Sequence, residues 1–147
     1  MDEFSGLYKK MCDKAVEIQR LWRETIATRD EYCKKGDYED GFSSTVNLEG
    51  MPKEEREELI ENNVWLPRQK EIEERVFKNW GIEEIRKSVQ KEFSDDVKND
   101  DLVKKVQQDF EGDERWYALA LMFVMEREFK RRWDFDNQEW IEIKKEG

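Results

Sequence analysis

Histidine, cysteine and converging carboxylates carry most protein chemistry, and this chain has no histidine. Ser-His-Asp and Cys-His nucleophiles are therefore excluded, as are metal sites built on imidazole. Cys12 and Cys33 have no histidine to join them in a metal site, and they read as two reduced thiols. No glycine-rich phosphate loop is present.

Carboxylates are the remaining chemical resource. Glu142 and Lys144 on a terminal strand, preceded by Asp134 and Asp136, have the acidic residue plus E-x-K spacing of metal-dependent nucleases. A chain this rich in Glu and Lys produces that spacing by chance, so a solvated strand edge is the preferred reading. Asp134, Asp136 and Asn137 are oxygen donors of the calcium-binding kind, but they lack the central glycine and final glutamate of an EF-hand loop and are read as a turn. In "FKRRW", residues 129 to 133, bases alternate with aromatics, and they are read as cations complementing a helix end. The most distinctive local feature is "VWLPRQ", residues 64 to 69. A helix starting at Pro67 would have Leu66 near its cap, a side chain that accepts nothing from the orphan N–H groups. Arg68 and Gln69, with Trp65 beside them, therefore form a candidate anion or partner-binding site, unless a carboxylate of the same chain fills it. No catalytic residue, cofactor or metal site is assigned.

Totals set the frame for these residues. The 147-residue length suits one domain, the formal net charge is −10, and 44% of residues are charged. That balance opposes general attachment to phosphate backbones or anionic lipid. Only 37% of residues are hydrophobic but 12% are aromatic, so a core of few, bulky side chains is expected. No leader-like start is seen, and the longest apolar run, "WYALALMFVM" at 116 to 125, is too short for a bilayer span. A cytoplasmic protein is the expectation.

Periodicity supplies the elements. Phe4, Leu7, Tyr8, Met11, Cys12, Ala15, Ile18, Trp22 and Ile26 predict one helix over about 4–28. A turn then leads to a short strand within 44–48, and "MPKEEREELIENN" predicts a short helix with Pro52 in its first turn and Glu54 and Glu55 complementing its dipole. Val64, Trp65 and Leu66 should be extended, with the next helix carrying Ile72, Val76, Phe77 and Trp80, and Ile82, Ile85, Val89 and Phe93 after a bend at Gly81. After a polar linker at 94–101, Asp100 or Asp101 should cap a helix ending at Gly112, and Asp113 the next, spanning about 114–133. A last strand is expected over 139–144. The fold class is α+β, predominantly helical, with the 114–133 helix central, the N-terminal helix across it, and a small sheet of two or three strands.

Ala15 to Gln19 with Trp22, Gly36 with Asp37, Trp65 to Gln69, Leu121 to Phe129, and Trp133 with Glu139 and Trp140 are the pieces that carry a resemblance. In these islands, about half its length, the chain resembles small phage and prophage proteins of Gram-positive bacteria that carry a "WLPRQ" motif and a C-terminal aliphatic helix followed by Trp, a turn and "EW". The turn between Trp133 and Trp140 lacks the glycine of that pattern, and the segment from 37 to 63 adds nothing further to the match. The resemblance implies a phage or prophage origin and brings no activity, cofactor or catalytic residue.

The leading expectation is a non-enzymatic protein-interaction or accessory module with a protein partner. Second comes an acidic, DNA-mimicking inhibitor of a nucleic-acid-binding host protein, and third a carboxylate-dependent enzyme. Direct nucleic-acid binding and membrane attachment are not expected. Exposed aromatics leave homo-oligomer formation open.

Overall fold

A serine just ahead of a run of orphan N–H groups opens a helix, and Ser5 does so here: its Oγ accepts from the Tyr8 N–H at 3.1 Å at the head of α1 (Gly6–Lys14). The computed structural model describes residues 3–76 and 100–143, apart from the side chains of residues 3, 69, 76 and 100–103. The architecture is α+β, helix-dominated, with small antiparallel sheets, and the chain divides into two compact units, Met1–Pro67 and Arg68–Gly147.

In the first unit, the helix expected over 4–28 is two helices. Phe4 belongs to a strand, β1 (Glu3–Phe4), and α1 ends at Ala15, whose ψ of 74° is not helical, before α2 (Val16–Thr25) begins. The break follows from a contact distant in sequence. The Gln19 side-chain amide donates to the Cys12 carbonyl at 3.1 Å, which also accepts from the Ala15 N–H, and to the Trp65 carbonyl at 3.0 Å. Its oxygen accepts from the Trp65 N–H at 2.8 Å.

Trp65 is available for this because of its register. β2 (Glu31–Lys34) pairs antiparallel with β5 (Asn63–Trp65), Tyr32 lying opposite Trp65 and Cys33 opposite Val64. The Leu66 N–H donates to Glu31 and the Lys35 N–H to Asn62, so by antiparallel alternation the Trp65 backbone groups point away from β2. Gln19 meets them where a further strand would. The gathering of Val64, Trp65 and Leu66 is thereby explained: all three are at most 1% exposed, and the Trp65 indole stacks on Trp22 at 6.5 Å between centroids. The Trp22 indole N–H donates to buried Asp30, whose carboxylate also accepts from Ala27.

β4 (Ser44–Thr45) lies on the other side of β2, and β3 (Gly41–Phe42) pairs with β1. The strand expected within 44–48 is thus present, while β1, β2 and β3 carry no alternation by which to read them. The acidic helix is α3 (Lys53–Asn62), with Pro52 at its N-cap position and the Asn63 amide donating to Leu59 at 2.8 Å at its far end.

In the second unit a helix opens at Gln69, two residues beyond Pro67: α4 (Gln69–Glu71) runs into a π-helical turn, Ile72–Val76. The Pro67 carbonyl accepts from the buried Tyr8 hydroxyl at 2.5 Å, and the first helical bond of the next segment runs from Ile72 to the Arg68 carbonyl. The expected positions Phe77, Trp80, Gly81, Ile82, Ile85, Val89 and Phe93 and the linker from 94 to 99 lie outside the described residues.

α5 (Asp100–Asp109) is followed by Gly112 at a φ of 56° and by α6 (Glu114–Phe129). Asp113 sits at the N-cap position of α6 but has helical angles, and its side chain caps nothing. Arg115 instead closes α5 from outside, its guanidinium donating to the carbonyls of Phe110 and Gln107. Every residue of α6 from Ala118 to Met125 is buried, with Leu119 at 1%, as the all-round apolar run implies. α4 and the π-helical turn pack on it.

α6 ends four residues earlier than 133. Lys130 adopts the left-handed conformation, its N–H bonding to the Met125 carbonyl, and β6 (Arg131–Asp134) then pairs with β7 (Glu139–Glu142). Trp133 thus lies opposite Trp140, edge to face at 5.0 Å, and both are buried. The two indoles fix which face of the hairpin turns inward, and Ile141 is left 44% exposed. Among the described residues, no helix is long and apolar enough to cross a membrane.

Candidate functional site

The residues singled out by the sequence go to separate tasks. Trp65 is fully buried in the first unit, stacked on Trp22 and held through its backbone by Gln19. Arg68, in the second unit, donates from Nη1 to the Tyr117 hydroxyl at 3.0 Å, its guanidinium 5.7 Å from that ring's centroid. Gln69 begins α4, and its side chain is outside the described part. Gln19 and Trp22 both contact Trp65 directly, so the role of these three residues is architectural.

A carboxylate does fill a helix N-terminus, but that of α1. Asp40 Oδ1 accepts from the Gly6 N–H at 2.6 Å. The backbone of residues 38–40 lies so close that a Cβ on Gly6 would stand 1.7 Å from the Tyr38 carbonyl oxygen. Two further links hold this segment: the buried Lys9 Nζ donates to the Glu39 carbonyl at 2.7 Å, and the Tyr38 hydroxyl donates to Asp13. Burial, and then the bond to Asp13, push the Tyr38 phenol up to about 12. Burial likewise pushes the Cys33 thiol up to about 11, with Lys9 opposing and Asp13 and Asp37 assisting. A reactive thiol needs the opposite displacement.

Asp134 is also occupied. Its Oδ1 accepts from the Asp136 and Asn137 N–H groups and its Oδ2 from the Asn137 amide at 2.8 Å, and these bonds hold its carboxyl below the ordinary range. The cluster is a hairpin turn. Glu142 is exposed on β7, and Lys144 lies outside the described residues. Of "FKRRW", Lys130 Nζ donates to the Arg127 carbonyl at the end of α6, as a terminal cation does.

α3 is different in kind. Glu54, Glu55, Glu57, Glu58 and Glu61 are all exposed, while Ile60 is its one buried residue. Glu54 and Glu55 favour the positive end of the helix dipole, but Glu58 and Glu61 stand near the negative end, where the last turn has no basic residue. Glu54 with Glu58 and Glu57 with Glu61 are like charges four residues apart, each pair costing about 0.2–0.5 kcal/mol. Folding does not require either arrangement. Dipole complementarity accounts for Glu54 and Glu55 but not for Glu58 and Glu61, whose spacing is visible in the sequence.

Comparison with protein-family models, curated proteins and solved structures finds no match for this chain.

Proposed function

We propose that this protein is a non-enzymatic interaction module of the phage or prophage type, acting in the host cytoplasm and presenting α3 to a basic surface on a protein partner. The observation that carries this reading is the set of carboxylates on α3 that the helix itself disfavours. Where a local rule is broken without a gain to the fold, a functional demand is the physical alternative. A basic partner relieves the repulsion on binding, and its own charges steer the encounter. The upward displacement of Cys33, away from nucleophilic reactivity, agrees with a role that is not catalytic.

The second reading, a DNA-mimicking inhibitor, draws on the same carboxylates. Mixed charge on the exposed surface of α2, where Arg20, Arg23 and Glu24 all meet solvent, favours an ordinary protein contact over a phosphate-like field.

Both are tested with a Glu57→Gln, Glu58→Gln, Glu61→Gln variant beside the parent chain, each immobilised and exposed to bacterial lysate. A protein held by the parent, released by about 0.5 M salt and not held by the variant is the expected result. Equal retention by the variant rejects α3 as the contact. Displacement of the partner by duplex DNA would select the inhibitor reading.

A further inference from the structure

Asp40 is followed by Gly41, the neighbour that least hinders a side-chain carboxyl from closing on the next backbone nitrogen. Asp40 is exposed to water, yet its carboxylate is directed at the Gly6 N–H, and Gly41 is held in β3 opposite Phe4 of β1. Lys9 to Glu39 and Tyr38 to Asp13 tie down the residues just before it. Nucleophile and electrophile are adjacent in the chain and kept from reacting by four contacts made to other segments.

We propose that Asp40–Gly41 is a site of spontaneous aspartyl isomerisation, held in check by the docking of residues 38–42 on α1 and β1. In the reaction the Gly41 amide nitrogen attacks Asp40 Cγ, a C–N bond forms, the carboxyl C–O bond breaks, and one water leaves to give a cyclic imide. Water then adds back. Cleavage between the nitrogen and Cγ restores aspartate, while cleavage between the nitrogen and the main-chain carbonyl carbon leaves an isoaspartyl linkage. That linkage adds a methylene to the main chain and turns the main-chain carbonyl into a free carboxylate. The bond to Gly6 and the pairing with Phe4 both depend on the original spacing, so the product does not dock again. The segment is a one-way release whose rate follows how often it lifts from α1.

The test uses the full chain kept at mildly acidic pH and warm temperature over weeks, followed by digestion and separation of the isobaric Asp40 and isoaspartyl peptides. A synthetic peptide of residues 34–46 serves as the unprotected reference. The parent protein should isomerise far more slowly than the peptide. Tyr38→Phe, which deletes one hydroxyl, and Lys9→Met should each accelerate it about fivefold, the usual weight of one hydrogen bond in a local opening equilibrium. Gly41→Ala should suppress it, and a Cβ there meets nothing within 4 Å, so this variant keeps the fold. Parent isomerisation as fast as the peptide's, or Tyr38→Phe at the parent rate with circular dichroism unchanged, overturns the proposal.

Discussion

α3 and α6 share one backbone geometry and are maintained by opposite means. Eight consecutive buried residues, Ala118 to Met125, hold α6, whereas α3 buries Ile60 alone and is secured at its end by Asn63. A helix surrounded by apolar contacts needs little from its termini, and Asp113 indeed contributes no cap. A helix with one anchor leaves its surface free for charges that serve something else. The difference separates a segment whose residues answer to the interior from one whose residues answer to a partner.

Truncation should expose that difference most plainly. Leu119→Ala removes a fully enclosed side chain from α6 and should cost about 2–5 kcal/mol, seen as a lower denaturant midpoint. A loss under 1 kcal/mol would mean that α6 is not the interior of its unit. Ile60→Ala in α3 should cost less, about 2 kcal/mol, because Ile60 is 8% exposed and its neighbours on the helix are partly solvated. Measuring helix content as well as stability sharpens the contrast, since Ile60 is the one residue that α3 buries.

Alkaline titration examines burial by another route. The Cys33 thiol moves from 9.0 to about 11 on folding because burial favours its neutral form. The contribution to stability is therefore complete below pH 9.0 and is lost as pH rises through about 11, where an unfolded chain would already carry the thiolate. Cys33→Ala should flatten the parent's decline across that window, part of the slope remaining from Tyr38, whose phenol rises to about 12.

Smaller effects belong to the ends and surface of α3. Asn63→Ala deletes the amide bond to Leu59 and should cost about 1 kcal/mol. Glu58→Gln with Glu61→Gln should instead stabilise the protein by about 0.5 kcal/mol, read as a small rise in melting temperature. A fall would show that these carboxylates have stabilising partners within the chain and would remove the basis for the proposed contact.

How far the chain was readable follows the range of the forces involved. The run from 116 to 125 announces α6 because all-round hydrophobicity is a local property, and Pro52 and the acidic turn likewise mark α3. Helix spacing also continues through Met125, Phe129 and Trp133, which is why the strand β6 was read as helix. The left-handed residue that interrupts it is Lys130 rather than a glycine, so no local sign warns of the stop. The division at Ala15 depends on a residue 46 positions from Gln19, beyond any periodicity. For the candidate site, "WLPRQ" was conspicuous because it is apolar amid charge, but that conspicuousness belongs to packing. The α3 carboxylates looked ordinary in a chain that is 44% charged, and only their exposure and helical spacing set them apart.

Gln19 has one more consequence. A strand with unclaimed amides invites another molecule to add to it, the route by which folded proteins join into fibrils. On the β5 flank a single carboxamide already occupies the Trp65 donor and acceptor, so lateral growth of that sheet meets a plug. Gln19→Ala would strip the Trp65 amide and carbonyl of that partner on a flank against which α1, α2 and α3 also pack.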